Sequence, residues 1–231
     1  VFAAMCDKLV DVAPDLSFRP ELATAWQWDA DGRALTLTLR EGARFQDGSA
    51  VDAAAVKANL DRYRSARESR RRSELRPVAE VQIVDARTVR ILLSEPFAPL
   101  LSVLSDRAGM MLSPAVLPLA ERIGENPVCS GPFRLTRRVA QDRIEMEKFA
   151  GHWNAANIHF DRLVFLPIPD NTVRALTLRS GQLDLIERLS PNDIPAVERD
   201  RRLRLVAGAS IAYQNMQFNL GNGPAGRRPL G

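Results

Sequence analysis

The sequence predicts an α/β or α+β fold with mixed sheets, in which strands and helices interleave without regular strand–helix–strand alternation. Three observations carry that expectation. Leu35, Leu37 and Leu39 alternate with Thr36, Thr38 and Arg40, the period of a strand with one buried face. Val56, Leu60 and Tyr63 recur at helical spacing behind Asp52, a helix-capping residue type. Val81 and Ile83, and Val89, Ile91 and Leu93, alternate as strand-forming apolar residues and flank Asp85-Ala86-Arg87-Thr88, a tight-turn composition.

The other elements follow in order. Glu41-Gly42 and Asp47-Gly48 turn the chain after the first strand. Pro96 and Pro99 end the second hairpin strand and lead into a helix over residues 98–104, and Ser113-Pro114 opens another through Leu119. Ser130-Gly131-Pro132 is a turn before a strand pair built on Phe133, Leu135, Ile144 and Met146. Residues 163–166 read as a short buried strand closed by Pro167. Asp170 or Asn171 caps a helix from Thr172 to Ser180, and Gly181 stops it. Short strands over 183–186, 203–205 and 211–218 and a helix from Ser190-Pro191 complete the pattern.

Composition removes several classes. With 231 residues, 45% hydrophobic and 26% charged, the chain is neither disordered nor fibrous. Its longest nearly apolar stretch, residues 108–120, is broken by Ser113, Pro114 and Pro118 and falls short of the ~20 residues a spanning helix needs. The net charge is +4, yet residues 62–76 alone hold seven Arg and two Glu, so the remainder is slightly acidic. That stretch has no aromatic residue after Tyr63 and no zinc-ligand spacing. It reads as a solvated helix end and loop, and no nucleic-acid partner is expected.

The chemistry-bearing residues are sparse. His152 and His159 stand seven apart with no third ligand at metal spacing, so they read as solvated loop residues and no metal or cofactor is expected. Ser130 lacks the glycines of a nucleophile elbow, and no catalytic constellation assembles. Cys6 and Cys129 lie far apart in sequence. Spacing leaves their pairing open, and they read first as two unlinked apolar side chains. No charged and apolar leader precedes Val1, so an export signal has been removed or was never present.

Eight sequence words in order resemble a known family. They are Cys6-Asp7-Lys8-Leu9-Val10; Pro20-Glu21-Leu22-Ala23-Thr24-Ala25-Trp26; residues 37–49, with Arg40-Glu41-Gly42 and Phe45-Gln46-Asp47-Gly48; Asn126-Pro127-Val128-Cys129-Ser130-Gly131-Pro132-Phe133; Trp153; residues 161–168; Arg179-Ser180-Gly181-Gln182-Leu183-Asp184; and Phe218-Asn219. Together they resemble the extracellular solute-binding proteins of family 5, the peptide, dipeptide and nickel class that serves ABC importers. Two departures stand out. Cys129-Ser130 replaces the family's usual Gly-Thr before Gly131-Pro132, and Ala54 and Ala55 stand where the family tends to have acidic residues.

The resemblance implies a periplasmic-binding-protein-like type II lobe with mixed sheets and an inserted subdomain, the second lobe being absent. Residues 1–8 and 128–219 would form the lobe core, 9–127 the inserted subdomain, and 220–231 a linker toward the other lobe. The expected function is non-enzymatic: a short peptide or peptide-like solute is captured in an inter-lobe cleft and delivered to ABC permease subunits, by a protein that is periplasmic or lipid-anchored and peripheral to the membrane. The alternative is a sensor or regulatory module reusing the same fold in a larger protein.

The resemblance points first to Arg107 and Met110 for the ligand, an Arg being suited to pair bidentately with a carboxylate and a Met to adapt to varied side chains. The polar strand face Tyr213, Asn215 and Gln217 would hydrogen-bond an extended peptide. Asp7 and Cys6, on the early cleft-edge word, come next, and then Arg71 in a variable cleft region. The structural roles assigned to Trp26, Leu39 and Phe45 are packing, and to Asp47-Gly48 and Gly131-Pro132 turns.

Overall fold

The computed structural model describes residues 1–208. The chain divides after Pro167 into two compact units, and the second is described from Ile168 to residue 208.

The first unit opens with one helical turn, α1 (Phe2–Met5), and holds three antiparallel sheets. β1 (Val10–Val12) pairs with β2 (Phe18–Pro20). β3 (Ala23–Trp28), β4 (Ala34–Leu39), β5 (Val78–Asp85) and β6 (Thr88–Leu93) make a four-stranded sheet in the order β3-β4-β6-β5. β7 (Phe133–Val139), β8 (Arg143–Lys148) and β9 (Arg162–Phe165) make the third, in chain order.

The predicted hairpin and leucine strand are neighbours here, since Leu35 pairs with Ile91 and Leu37 with Val89. All four side chains are fully buried. On the same face lies α2 (Ala53–Ser65), whose Val56 and Leu60 enter that core, as do Leu100 and Leu104 of α3 (Leu100–Leu104). Each such apolar side chain contributes about 1.5–3 kcal/mol on removal from water.

Local chemistry sets the boundaries. Asp52 caps α2 by accepting the Ala55 N–H at 2.8 Å, and the absence of an acidic first turn does not prevent the helix from running 13 residues. Two of its basic side chains reach β5, an edge strand: Lys57 Nζ donates to Val81 O at 2.8 Å and Arg64 Nη1 to Val78 O at 3.0 Å. The helix predicted from residue 98 starts only at Leu100, because Pro99 occupies its cap. The turn of 3₁₀ helix opened by Ser113 and Pro114 is broken at Ala120, where φ is +50°.

A smaller apolar cluster gathers Met5, Cys6, Met110, Leu112, Val116, Cys129, Phe133 and Met146. It contains the first clear departure from the sequence reading. Cys6 and Cys129 are not independent apolar residues: they form a disulfide with Cα atoms 4.8 Å apart, inside the bonding range that sequence could not test.

In the second unit Asp170 caps α4 (Asn171–Arg179) through the Val173 N–H at 2.8 Å, and Gly181 follows at φ +80°. A 3₁₀ turn at Pro191–Asp193 leads into α5 (Ile194–Arg199), as the Ser190-Pro191 pair predicts. Residues 183–186 and 203–205 are not strands. No ladder partner pairs with them among the described residues, and Leu185 is 76% exposed. Residues 163–166 are also corrected: among the described residues β9 pairs with β8 alone, and it is half-exposed, with Val164 at 46%. The strand expected over 211–218 lies outside the described residues. Among those described, no helix is long and apolar enough to cross a membrane.

Candidate functional site

Three backbone segments meet where the two cores adjoin. Leu9 N donates to Gly109 O at 2.9 Å and Met111 N to Asp7 O at 3.2 Å, so the strand of Lys8 lies against that of Met110. Leu112 bridges Cys129, Ser113 N donates to Val128 O at 2.9 Å, and Gly131 N donates to Met5 O at 2.8 Å. The disulfide adds a covalent tie between the outer two segments. The approach is so close that a Cβ on Gly131 would lie 2.5 Å from the Met5 carbonyl, and one on Gly109 only 1.7 Å from Leu104 O. Only glycine fits at either point.

Polar side chains hold these segments. Gln46 Nε2 donates to the carbonyls of Met5, Gly131 and Phe133 at 3.0, 3.1 and 3.0 Å, while its Oε1 accepts from Cys129 N at 3.2 Å. Asn59, wholly buried on α2, donates to Leu112 O at 2.7 Å and accepts from Leu112 N at 3.0 Å. One turn further on the same helix face, Tyr63 donates to Met110 O at 2.9 Å. Burial pushes the Tyr63 phenol up to about 12, despite the opposing pull of Arg62 and Arg71.

Asp7 is 4% exposed, and its Oδ2 accepts both from His152 Nε2 at 2.9 Å and from Trp153 Nε1 at 2.8 Å. His152 is therefore not the solvated loop residue its sequence context implies. Its Nδ1 accepts from Asn154 N at 3.2 Å, so the neutral ring with a proton on Nε2 uses both nitrogens inside the fold. No nitrogen remains to serve a substrate. Arg40 stacks over Trp153 with 3.8 Å from its guanidinium carbon to the ring centre, and its Nε donates to Glu21 O at 2.9 Å.

Glu21 completes this charged cluster. Its Oε2 is buried without a hydrogen-bond partner, 4.0 Å from Lys8 Nζ. Burial, reinforced by the Asp7 and Asp11 charges and only partly offset by Lys8, raises its carboxyl to about 8. Asp11 goes the other way: burial raises it, but hydrogen bonds from Lys8 and Arg19 outweigh that and hold it below the usual carboxylate range.

The expected ligand residues fall into distinct places. Cys6, Asp7 and Met110 are buried, with Met110 at 8% exposure, and they are joined by the strand pairing just described. Arg107 is exposed on a 3₁₀ turn, Arg107–Gly109, with its guanidinium carbon 5.9 Å from the centre of the Phe2 ring. It makes no ion pair among the described residues. Arg71 is half-buried and paired with Glu74 at 2.6 Å. Tyr213, Asn215 and Gln217 lie outside the described residues. Sequence reasoning passed over Gln46, Asn59 and the Asp7–His152–Trp153 contacts; a polar Asn among the apolar positions of α2 was the one available signal.

Relatives support the lobe reading of this architecture. The family described as bacterial extracellular solute-binding proteins, family 5 Middle, matches residues 17–229. The glutathione-binding protein GsiB of Salmonella paratyphi A is 33% identical over 212 residues, which cover 91% of this chain and 41% of that relative. Among solved structures, the PBP AgaA from A. tumefaciens R10 in complex with agropinic acid superposes with a TM-score of 0.81 at 26% identity, over 87% of this chain and 41% of AgaA. An ABC transporter substrate-binding protein from Sinorhizobium meliloti gives a TM-score of 0.76 at 30% identity, over 85% and 41% of the two chains. The chain thus spans about 41% of the length of the relatives it matches. It has one lobe's worth of a periplasmic-binding-protein-like α/β fold, and it belongs to the bacterial extracellular solute-binding proteins of family 5.

Proposed function

We propose that the intact protein is the solute-binding component of an ABC importer, taking a short peptide or peptide-like solute into an inter-lobe cleft and presenting it to permease subunits in the membrane. Arg107 is the observation that carries this reading. It is an exposed guanidinium with no carboxylate partner among the described residues, standing on a turn whose next strand is locked by Lys8, Tyr63 and Asn59. A cation held out from a rigid base is suited to a ligand carboxylate. Glutathione and agropinic acid, in the names of two relatives, are both carboxylate-bearing small solutes.

In this reading Arg107 contacts the solute, while Cys6, Asp7 and Met110 shape the wall behind it. Arg71 and the polar residues Tyr213, Asn215 and Gln217 contribute further hydrogen bonds. In the same reading the lobe core comprises 1–8 and 128–219, the inserted subdomain 9–127, and 220–231 leads toward the other lobe; Met5, Cys6, Cys129, Phe133 and Met146 pack in an apolar cluster apart from that of residues 9–111, although Met110, Leu112, Val116 and Ile123 join them. Residence in the periplasm, free or lipid-anchored, is supported by the Cys6–Cys129 disulfide, which persists in an oxidising compartment.

Isothermal titration of the intact protein with glutathione and with di- to hexapeptides tests the proposal. Binding by at least one of these, weakened about tenfold or more in Arg107→Ala, is expected for a lost charge-assisted pair. Silence across the panel removes the peptide reading.

A further inference from the structure

The positive excess of the chain is confined to residues 62–76, and the fold arranges those arginines in two ways. Arg62 lies 3.7 Å from Glu68 and Arg71 2.6 Å from Glu74, so both are compensated locally. Arg72 and Arg76 are exposed and make no ion pair among the described residues. Both border a groove of about 310 Å³ between the end of α2 and the start of β5, together with Arg64, Leu75 and Val78.

The groove wall is fixed. Leu75 is 1% exposed and anchors the turn, with Leu75 N bonded to Arg71 O at 3.2 Å and Val78 N to Leu75 O at 3.0 Å. Arg64 is held by Val78 O, but its charge is poorly balanced. Its acidic neighbour, Asp61 at 3.5 Å, is shared with Lys57 at 2.7 Å, and its Nε is buried without an acceptor. Among the described residues, no carboxylate lines the groove.

We propose that this groove, lined by Arg64, Arg72 and Arg76, is an oxyanion site that takes a phosphate group. Three guanidinium groups around one small volume are under-neutralised by a single carboxylate. Inorganic phosphate carries about −1.5 to −2 charge and at least three acceptor oxygens, and a lipid phosphodiester carries a smaller charge with two free oxygens; both suit planar donor forks. The group is supplied either free in solution or as the headgroup of an anionic lipid, and the two sources are separable by experiment.

The intact protein is titrated calorimetrically with inorganic phosphate, and in parallel floated with vesicles of phosphatidylcholine alone or mixed with phosphatidylglycerol. Binding is expected in at least one arm, falling with added salt and weakened about tenfold or more in R72A/R76A. A response to phosphate alone assigns the soluble source, and a response to phosphatidylglycerol vesicles alone assigns the lipid. Both side chains are exposed and make no ion pair among the described residues, so the melting temperature should not move; if it does, R72Q/R76Q retains more of each stem and replaces it. Absence of binding in both arms, equal binding by the variants, or tighter binding of a polyglutamate peptide than of either phosphate source overturns the proposal.

Discussion

A single oxygen of Asp7 accepts hydrogen bonds from His152 and Trp153, residues 145 and 146 positions further along the chain. The contact ties the segment before the first strand to the turn after β8. Because Asp7 and His152 are buried and Trp153 partly so, removing the carboxylate leaves their hydrogen bonds unmet largely away from water.

Asp7→Ala therefore destabilises the fold by about 2–4 kcal/mol, since the buried His152 and the partly buried Trp153 ring N–H groups lose their acceptor. Urea unfolding followed by tryptophan fluorescence reads this directly. A loss below ~0.5 kcal/mol would show that the contact is dispensable.

Reduction of the Cys6–Cys129 bond, or the paired change C6S/C129S, lowers stability by about 3–5 kcal/mol, because the bond closes a loop across a sequence separation of 123 residues. Melting with and without a reductant measures it. The native protein, unfolded without reductant, should yield no free thiol.

The pH dependence of stability follows from Glu21. Its carboxyl in the fold titrates near 8, against an ordinary value of 4.5, so the folded state holds the proton more tightly than the unfolded state does. The resulting stabilisation is complete below about pH 4.5 and is lost as pH rises through about 8. Glu21→Gln, which keeps the neutral shape, should match the native protein near the acid end of that window and exceed it above pH 8. Equal slopes of stability against pH for the two proteins would remove Glu21 as the cause.

Gln46→Ala withdraws a donor from three backbone carbonyls and an acceptor from the Cys129 N–H, costing about 2–4 kcal/mol. Gln46→Glu should cost more, since it sets a second oxygen against the carbonyls of Met5, Gly131 and Phe133. Denaturant midpoints for the two variants test the order.

The legible parts of the fold are those encoded over short distances. Leu35, Leu37 and Leu39 display their burial by alternation, Asp52 and Asp170 mark helix starts, and Gly181 marks a stop. Residues 183–186 and 203–205 show the weakness of the same logic: a short apolar run becomes a strand only where a neighbour supplies the ladder. The disulfide and the Asp7–His152 contact depend on where distant segments meet, which no spacing reveals. At the candidate site, it was the family resemblance that pointed to Arg107, whose role as a carboxylate partner is proposed above. The hydrogen bonds of Gln46 and Asn59 that make its surroundings rigid were invisible.

The edge strand β5 has already surrendered two carbonyls, to Lys57 and Arg64. A stray chain seeking to extend the sheet there would find acceptors occupied and cations in its path. Lys57 and Arg64 thus guard this edge against intermolecular strand addition, a safeguard of value to any protein that must stay dispersed at high concentration.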